Sequence, residues 1–221
     1  MYGNMQKGVF LSFLFRYNKK NTVFILEKME DFMKLLIVVD MQNDFVTGSL
    51  GTKEAQAIVE NVVCKIKETP AEQIYVTQDT HQEPYLQTKE GLHLPVAHCI
   101  EGTDGHRLCP AVEQALEEKQ VDAARKIQKP TFGSMELIEK LRSDEKIVAD
   151  SNLQIELVGL CTGICVLSNA ILCKAAFPEA DVIVDAAACA CVTPASHDTA
   201  LAAMKLCQIE VEKEGKEPWR D

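Results

Sequence analysis

Residues 34–40 read KLLIVVD, an unbroken apolar run that ends in an acid. A strand without polar alternation must be covered on both faces, which is the condition of a parallel strand inside an α/β sheet. The pattern recurs. Residues 74–77, 121–127, 155–160, 181–185 and 209–211 read as further short strands, and the segments between them carry helical spacing. Residues 54–68 place Ile58, Val62 and Ile66 on one stripe. Residues 110–118 start at a proline, and Ser134 caps a helix that runs through Leu141. Residues 163–176 and 196–207 complete the helices, with Ile164, Leu167 and Ile171 expected to face inward. This alternation predicts a three-layer α/β/α domain around a mostly parallel sheet. Ligands of such sheets sit beyond the carboxyl ends of the strands.

Composition narrows the class of partner. The 221 residues are 47% apolar and suit one domain with a full core. A formal net charge of −10 disfavours nucleic acid and anionic membrane, both of which need a basic surface. The 9 cysteines are odd in number and include no CxxC pair, which points to a reducing compartment, the cytoplasm, rather than a disulfide scaffold. Cys161-x3-Cys165 and Cys189-x-Cys191 have poor spacing for a metal. Residues 9–15 (VFLSFLF) are apolar but well short of the ~20 residues that span a bilayer. Met33 opens MKLLIVVDMQNDF like the natural start of a domain. Residues 1–32 are therefore expected to be an extension outside the fold, and residues 33–221 the domain.

Three strand ends carry chemistry. Asp40 closes the first strand, Lys129 follows the third, and Cys165 follows the fourth at the start of a helix. Topology brings all three to one edge of the sheet. Helix N-terminal N–H groups and a nearby ammonium both favour a thiolate, and a carboxylate can take the thiol proton and later return it. The turn 159–163 (GLCTG) offers backbone N–H groups for an oxyanion. Taken singly, each residue is equally well structural: a buried cysteine, a surface lysine, a strand ending in Asp.

Taken together, IVVDMQNDF (37–45), KPTFGS (129–134) and GLCTGICV (159–166) resemble the isochorismatase-like superfamily of cysteine hydrolases, which includes nicotinamidases, isochorismatases and N-carbamoyl amidohydrolases. The resemblance spans residues 34 to about 212 in the same order. It implies a catalytic triad of Asp40, Lys129 and Cys165, a non-proline cis peptide before Cys161, and an oxyanion hole made by the N–H groups of Cys161 and Cys165. It also suggests a homo-oligomer. Gly163 departs from the pattern, since many members carry Asp there. Phe45 and Phe132 flank triad residues and could wall an aromatic substrate, although core packing explains at least one of them equally well.

The loop 77–99 holds Asp79, His81, Glu83, Glu90, His93 and His98. Asp-x-His after a strand, with a later His, is a workable set of oxygen and nitrogen ligands, and equally a polar surface loop. The resemblance implies a divalent metal site, usually zinc, opened by Asp79 and His81 and closed by His98 before Cys99. Glu90 matches the Glu-containing variant as the intermediate ligand, and His93 competes for that place. Isochorismatases lack this set. The reading is thus a metal-dependent hydrolase of a small amide, with nicotinamide as the leading substrate. The alternatives are an N-carbamoyl or ureido amidohydrolase and a metal-free isochorismatase-like hydrolase. Tyr85 reads as a lid or exposed residue, and Trp219 in the charged tail as surface.

Overall fold

The computed structural model of the chain describes residues 14–17, 23–26 and 33–220. The chain divides into two units, residues 1–32 and 33–221. In the first, β1 (Leu14–Tyr17) and β2 (Val23–Leu26) pair antiparallel. The expectation of an extension outside the fold falls mostly on residues outside those described.

The second unit holds a six-stranded sheet. Its strands are β3 (Lys34–Val39), β4 (Ile74–Asp79), β5 (Lys126–Lys129), β6 (Gln154–Leu160), β7 (Asp181–Ala190) and β8 (Glu210–Glu212). They lie in the order β5-β4-β3-β6-β7-β8, and every neighbouring pair is parallel. The chain steps outward from β3 to β5, returns to the centre at β6, and steps outward again on the other side. The reversal lies between β3 and β6, the crevice where doubly wound sheets bind ligands.

Helices cover both faces. In chain order the first are α1 (Asn43–Val46), α2 (Lys53–Ala57), α3 (Val59–Glu68), α4 (Lys89–His93) and α5 (Pro110–Glu118). They are followed by α6 (Met135–Ser143), α7 (Glu145–Ala149), α8 (Leu167–Ala176) and α9 (Pro194–Leu206). The β3 run explains the layers: Leu36 and Val38 join Ile58, Val62, Ile66, Val112 and Leu116 in one core cluster. Leu35, Ile37 and Val39 join Leu137, Leu141, Ala170, Leu201 and Met204 in the other. A strand buried on both sides leaves no room for polar alternation. Side-chain caps start several helices, Thr52 accepting from Ala55 N at 3.0 Å and Ser134 from Leu137 N at 3.1 Å.

Some boundaries differ from the expectation. The helix expected over 54–68 is broken at Ile58 into α2 and α3, although Ile58, Val62 and Ile66 are fully buried as one stripe. The third strand is shifted: Ala123–Arg125 form a 3₁₀ turn capped by Asp122, and the strand runs over Lys126–Lys129. Ahead of α8 the chain makes a π-turn over Thr162–Val166. Val166, Ala170 and Cys173 are buried in the core and Ile164 and Leu167 pack half-buried against it, whereas Ile171, expected inward, is exposed. Strand β7 continues five residues past Asp185 through Ala186–Ala190, small residues that carry little strand signal. Inside the sheet, Lys65 of α3 pairs with both Glu156 of β6 and Asp185 of β7, the latter at 2.9 Å. Lys34 reaches Glu156 at 3.1 Å and Lys213 reaches Asp185 at 2.7 Å.

Candidate active site

Asp40, Lys129 and Cys165 meet at the carboxyl edge of the sheet. Asp40 follows β3 directly, with φ 48°, a left-handed backbone uncommon for a residue with a side chain. Lys129 is the last residue of β5 and is buried. Cys165 lies in the π-turn after β6. The Lys129 ammonium sits 2.7 Å from Asp40 Oδ2, 3.3 Å from Asp79 Oδ1 and 3.4 Å from Cys165 Sγ. The Asp40 contact is an ion pair off the angle of a directed hydrogen bond. The other Asp40 oxygen accepts from Thr77 Oγ1 at 2.7 Å. The peptide between Leu160 and Cys161 is cis. Gly159 has φ +117°, and a Cβ there would lie 2.1 Å from Val39 O, so only glycine lets β6 run this close to β3 just before the turn.

Burial sets the protonation states. It pushes the Asp40 carboxyl up, and Lys129 offsets this only in part. Burial works against the Lys129 charge, but Asp40, with Cys165 and Asp79, outweighs it and raises the lysine. Burial, reinforced by Asp40, pushes the Cys165 thiol well above its ordinary value despite Lys129. Desolvation therefore opposes the thiolate that helix and lysine favour, and it raises the basicity of the carboxylate beside it.

The loop after β4 brings Asp79, His81, Glu90 and His98 together, one ligand atom from each lying within 4.8 Å of all the others. Asp79 Oδ2 is 2.9 Å from His81 Nε2 and 3.5 Å from His98 Nε2, and Glu90 Oε1 is 3.6 and 3.8 Å from the same two nitrogens. His93 is exposed and stands outside this group, so the loop delivers Glu90 as the intermediate member. Two observations fit a cation. His81 Nε2 is buried without a hydrogen-bond partner in line. His98 Nδ1 lies 2.8 Å from Val96 O, which ties up that nitrogen as a donor and leaves Nε2 as a lone pair. Tyr85, expected as a lid or exposed residue, is buried against both imidazoles and donates to Leu94 O at 3.1 Å.

A cavity of about 680 Å³ joins the two groups. Phe45 and Phe132 both line it, as do Asp79, Glu90, Cys161 and Cys165. Phe132 is half exposed at its mouth, whereas Phe45 also packs on the core cluster behind. Several residues that build the site escaped the sequence reading. Gln42 donates through Nε2 to Asp79 O and His106 O, both at 2.8 Å, and accepts from Asp79 N at 2.7 Å. Asp44 accepts from Cys99 N at 2.8 Å and so fixes the backbone beside His98. Asn169 accepts from Ser134 N at 2.9 Å and donates to Cys165 O at 2.8 Å, fastening the 129–134 loop to the thiol turn. Only Gln42, a polar residue just past a strand end, carried a signal that could have found it; Asp44 and Asn169 sit within helices.

Comparison with known proteins agrees with this architecture. A curated relative, an uncharacterised isochorismatase family protein of Bacillus subtilis (strain 168), is 29% identical over 147 residues, which is 62% of this chain and 76% of the relative. The crystal structure of the nicotinamidase PncA from Bacillus subtilis superposes with a TM-score of 0.68 at 25% identity, covering 81% of this chain and 99% of that one. The nicotinamidase SaPncA from Staphylococcus aureus superposes with a TM-score of 0.61 at 27% identity, covering 82% and 99%. The model of the isochorismatase domain matches residues 34–213. This chain belongs to the isochorismatase family of hydrolases.

Proposed function

We propose that the protein hydrolyses the C–N bond of a small amide, with nicotinamide converted to nicotinate and ammonia as the leading reaction. The observation that carries this reading is the buried Lys129 ammonium, held within 3.4 Å of a thiol and two carboxylates, of which the thiol and Asp79 line one cavity. Asp40 takes the proton of Cys165 as the sulfur attacks the amide carbonyl carbon. The oxyanion accepts hydrogen bonds from the N–H groups of Cys161 and Cys165. As the C–N bond breaks, Asp40 passes its proton to the nitrogen and ammonia leaves a thioester. Water then loses a proton to Asp40 and adds to the thioester. The C–S bond breaks and Cys165 regains its proton from Asp40. Lys129 keeps its charge throughout and steadies carboxylate and thiolate in turn. Phe45 and Phe132 offer flat walls for an aromatic ring.

Asp79, His81, Glu90 and His98 would hold a divalent ion, and their mixed nitrogen and oxygen donors suit zinc. When bound, such an ion supplies a Lewis-acid contact for a ring nitrogen and so orients a heteroaromatic amide.

The test is ammonia release from nicotinamide by the purified protein, before and after chelation and zinc return, alongside Cys165→Ala. Release that falls about 1000-fold or more in Cys165→Ala with an unchanged melting midpoint is expected. Chelation is expected to suppress wild-type release, and zinc to restore it. Turnover retained in Cys165→Ala would remove the covalent mechanism. Activity on N-carbamoyl compounds with none on nicotinamide would replace the substrate.

A further inference from the structure

Thr162 follows Cys161 directly and opens the π-turn that contains Cys165. It therefore sits between the two residues assigned above to the oxyanion. Its Oγ1 lies 2.8 Å from His197 Nδ1 on α9, and His197 Nε2 lies 3.2 Å from Glu217 Oε1 in the C-terminal segment. Thr162 and His197 are fully buried and Glu217 nearly so. Arg220 pairs with both Glu217 and Asp198, and its guanidinium lies 4.6 Å above the Trp219 ring. That ring meets the His197 imidazole edge-on at 5.2 Å. The tail expected at the surface is instead folded onto α9, with Trp219 packed against the core.

The direction of the chain of bonds is fixed by what each group can do. A carboxylate only accepts, so His197 Nε2 carries the proton and Nδ1 presents a lone pair. Thr162 must then donate. Burial keeps the imidazole below its ordinary value, hence neutral. A threonine hydroxyl committed outward is no longer free to bond a carbonyl of its own turn, the local alternative open to this residue type. None of the three lines the cavity.

We infer that Glu217, His197 and Thr162 form a positioning relay through which the C-terminal segment holds the 161–165 turn in its oxyanion-binding shape. The inference rests on the amidase reading above, and all three are positioning residues that touch no substrate.

The test uses the full chain, with Thr162→Val and Glu217→Ala as disrupting variants. Thr162→Ser and Glu217→Gln are the conservative ones, keeping a hydroxyl and a carbonyl acceptor in place. Steady-state hydrolysis of nicotinamide, alkylation of Cys165 by iodoacetamide read by peptide mass spectrometry, and the melting midpoint are measured for each. The disrupting variants are expected to lose about tenfold or more in kcat with KM within about threefold. Their Cys165 alkylation rates should shift by about fivefold, while the conservative variants stay within about threefold of wild type on both readouts. Equal losses in the conservative variants, or losses that follow the melting midpoint alone, would overturn the relay. If the wild type releases no ammonia from nicotinamide, the nicotinamide assignment falls by itself. Alkylation then decides the relay, and rates unmoved in Thr162→Val and Glu217→Ala would refute it.

Discussion

Lys129 is a cation buried among anions, and its worth to the fold can be separated from its worth to chemistry. Lys129→Met leaves Asp40 buried without its counter-charge. An unpaired buried charge costs about 3–5 kcal/mol, so urea unfolding is expected to show a loss in that range at neutral pH. A loss under about 1 kcal/mol would mean that Asp40 is already neutral in the resting protein. The meeting of the three residues proposed for catalysis was legible because each stands at or shortly after the carboxyl end of a strand, where topology sets its place. Gln42, Thr77, Asp44 and Asn169 were not. Their work is done largely by hydrogen bonds to groups tens of residues away, backbone as in Gln42 to His106 O or side chain as in Thr77 to Asp40 Oδ1, and a bond of that kind leaves no period in a sequence. His93 stayed a competitor to Glu90 as the intermediate ligand for a related reason. A short helix, α4, turns one toward the group and leaves the other at the surface.

At the scale of elements, the central strands carry a charged seam as well as an apolar one. Asp185 of β7 is buried between Lys65 and Lys213, which together hold its carboxyl below the ordinary range although burial opposes them. A carboxylate whose folded value is depressed stabilises above its unfolded value and loses that contribution as pH falls through the folded one. Asp185→Asn is therefore expected to cost about 2 kcal/mol at neutral pH, the partners being partly exposed. The gap to wild type should close as the pH falls below the ordinary carboxylate range. Denaturation curves at both pH values check this, and a gap that widened in acid would contradict the assignment. Strand positions were legible where β-branched residues ran together, as in β3 and β6. The AAACA end of β7 and the start of β5 were not, because alanine and lysine declare no preference for a sheet. The π-turn was invisible as well. One additional residue between Cys161 and Leu167 shifts the helix that follows so that Ile171 turns outward while Ile164 and Leu167 still pack on the core, and no pattern in the residues announces it.

At the scale of the whole molecule, both core clusters, the full six-stranded sheet and every proposed site residue lie within residues 33–221. A chain beginning at Met33 is therefore expected to fold alone, with a melting midpoint within a few degrees of the full chain and unchanged turnover of whatever amide the full chain accepts. A collapse of cooperative unfolding on that truncation would assign residues 1–32 to the fold. The layer architecture was legible from strand–helix alternation, whereas the return of the tail onto α9 was not, since EKEGKEPWRD has the composition of a solvated end. The Asp79 carboxylate, finally, has an evolutionary corollary. One of its oxygens faces the Lys129 ammonium and the other faces the histidines. A single codon thus serves two centres, while His81, Glu90 and His98 each serve one. If the four do hold an ion, as proposed, descendants that abandoned it would be free to lose the histidines and Glu90 one at a time, and the aspartate would be the last of the four to go.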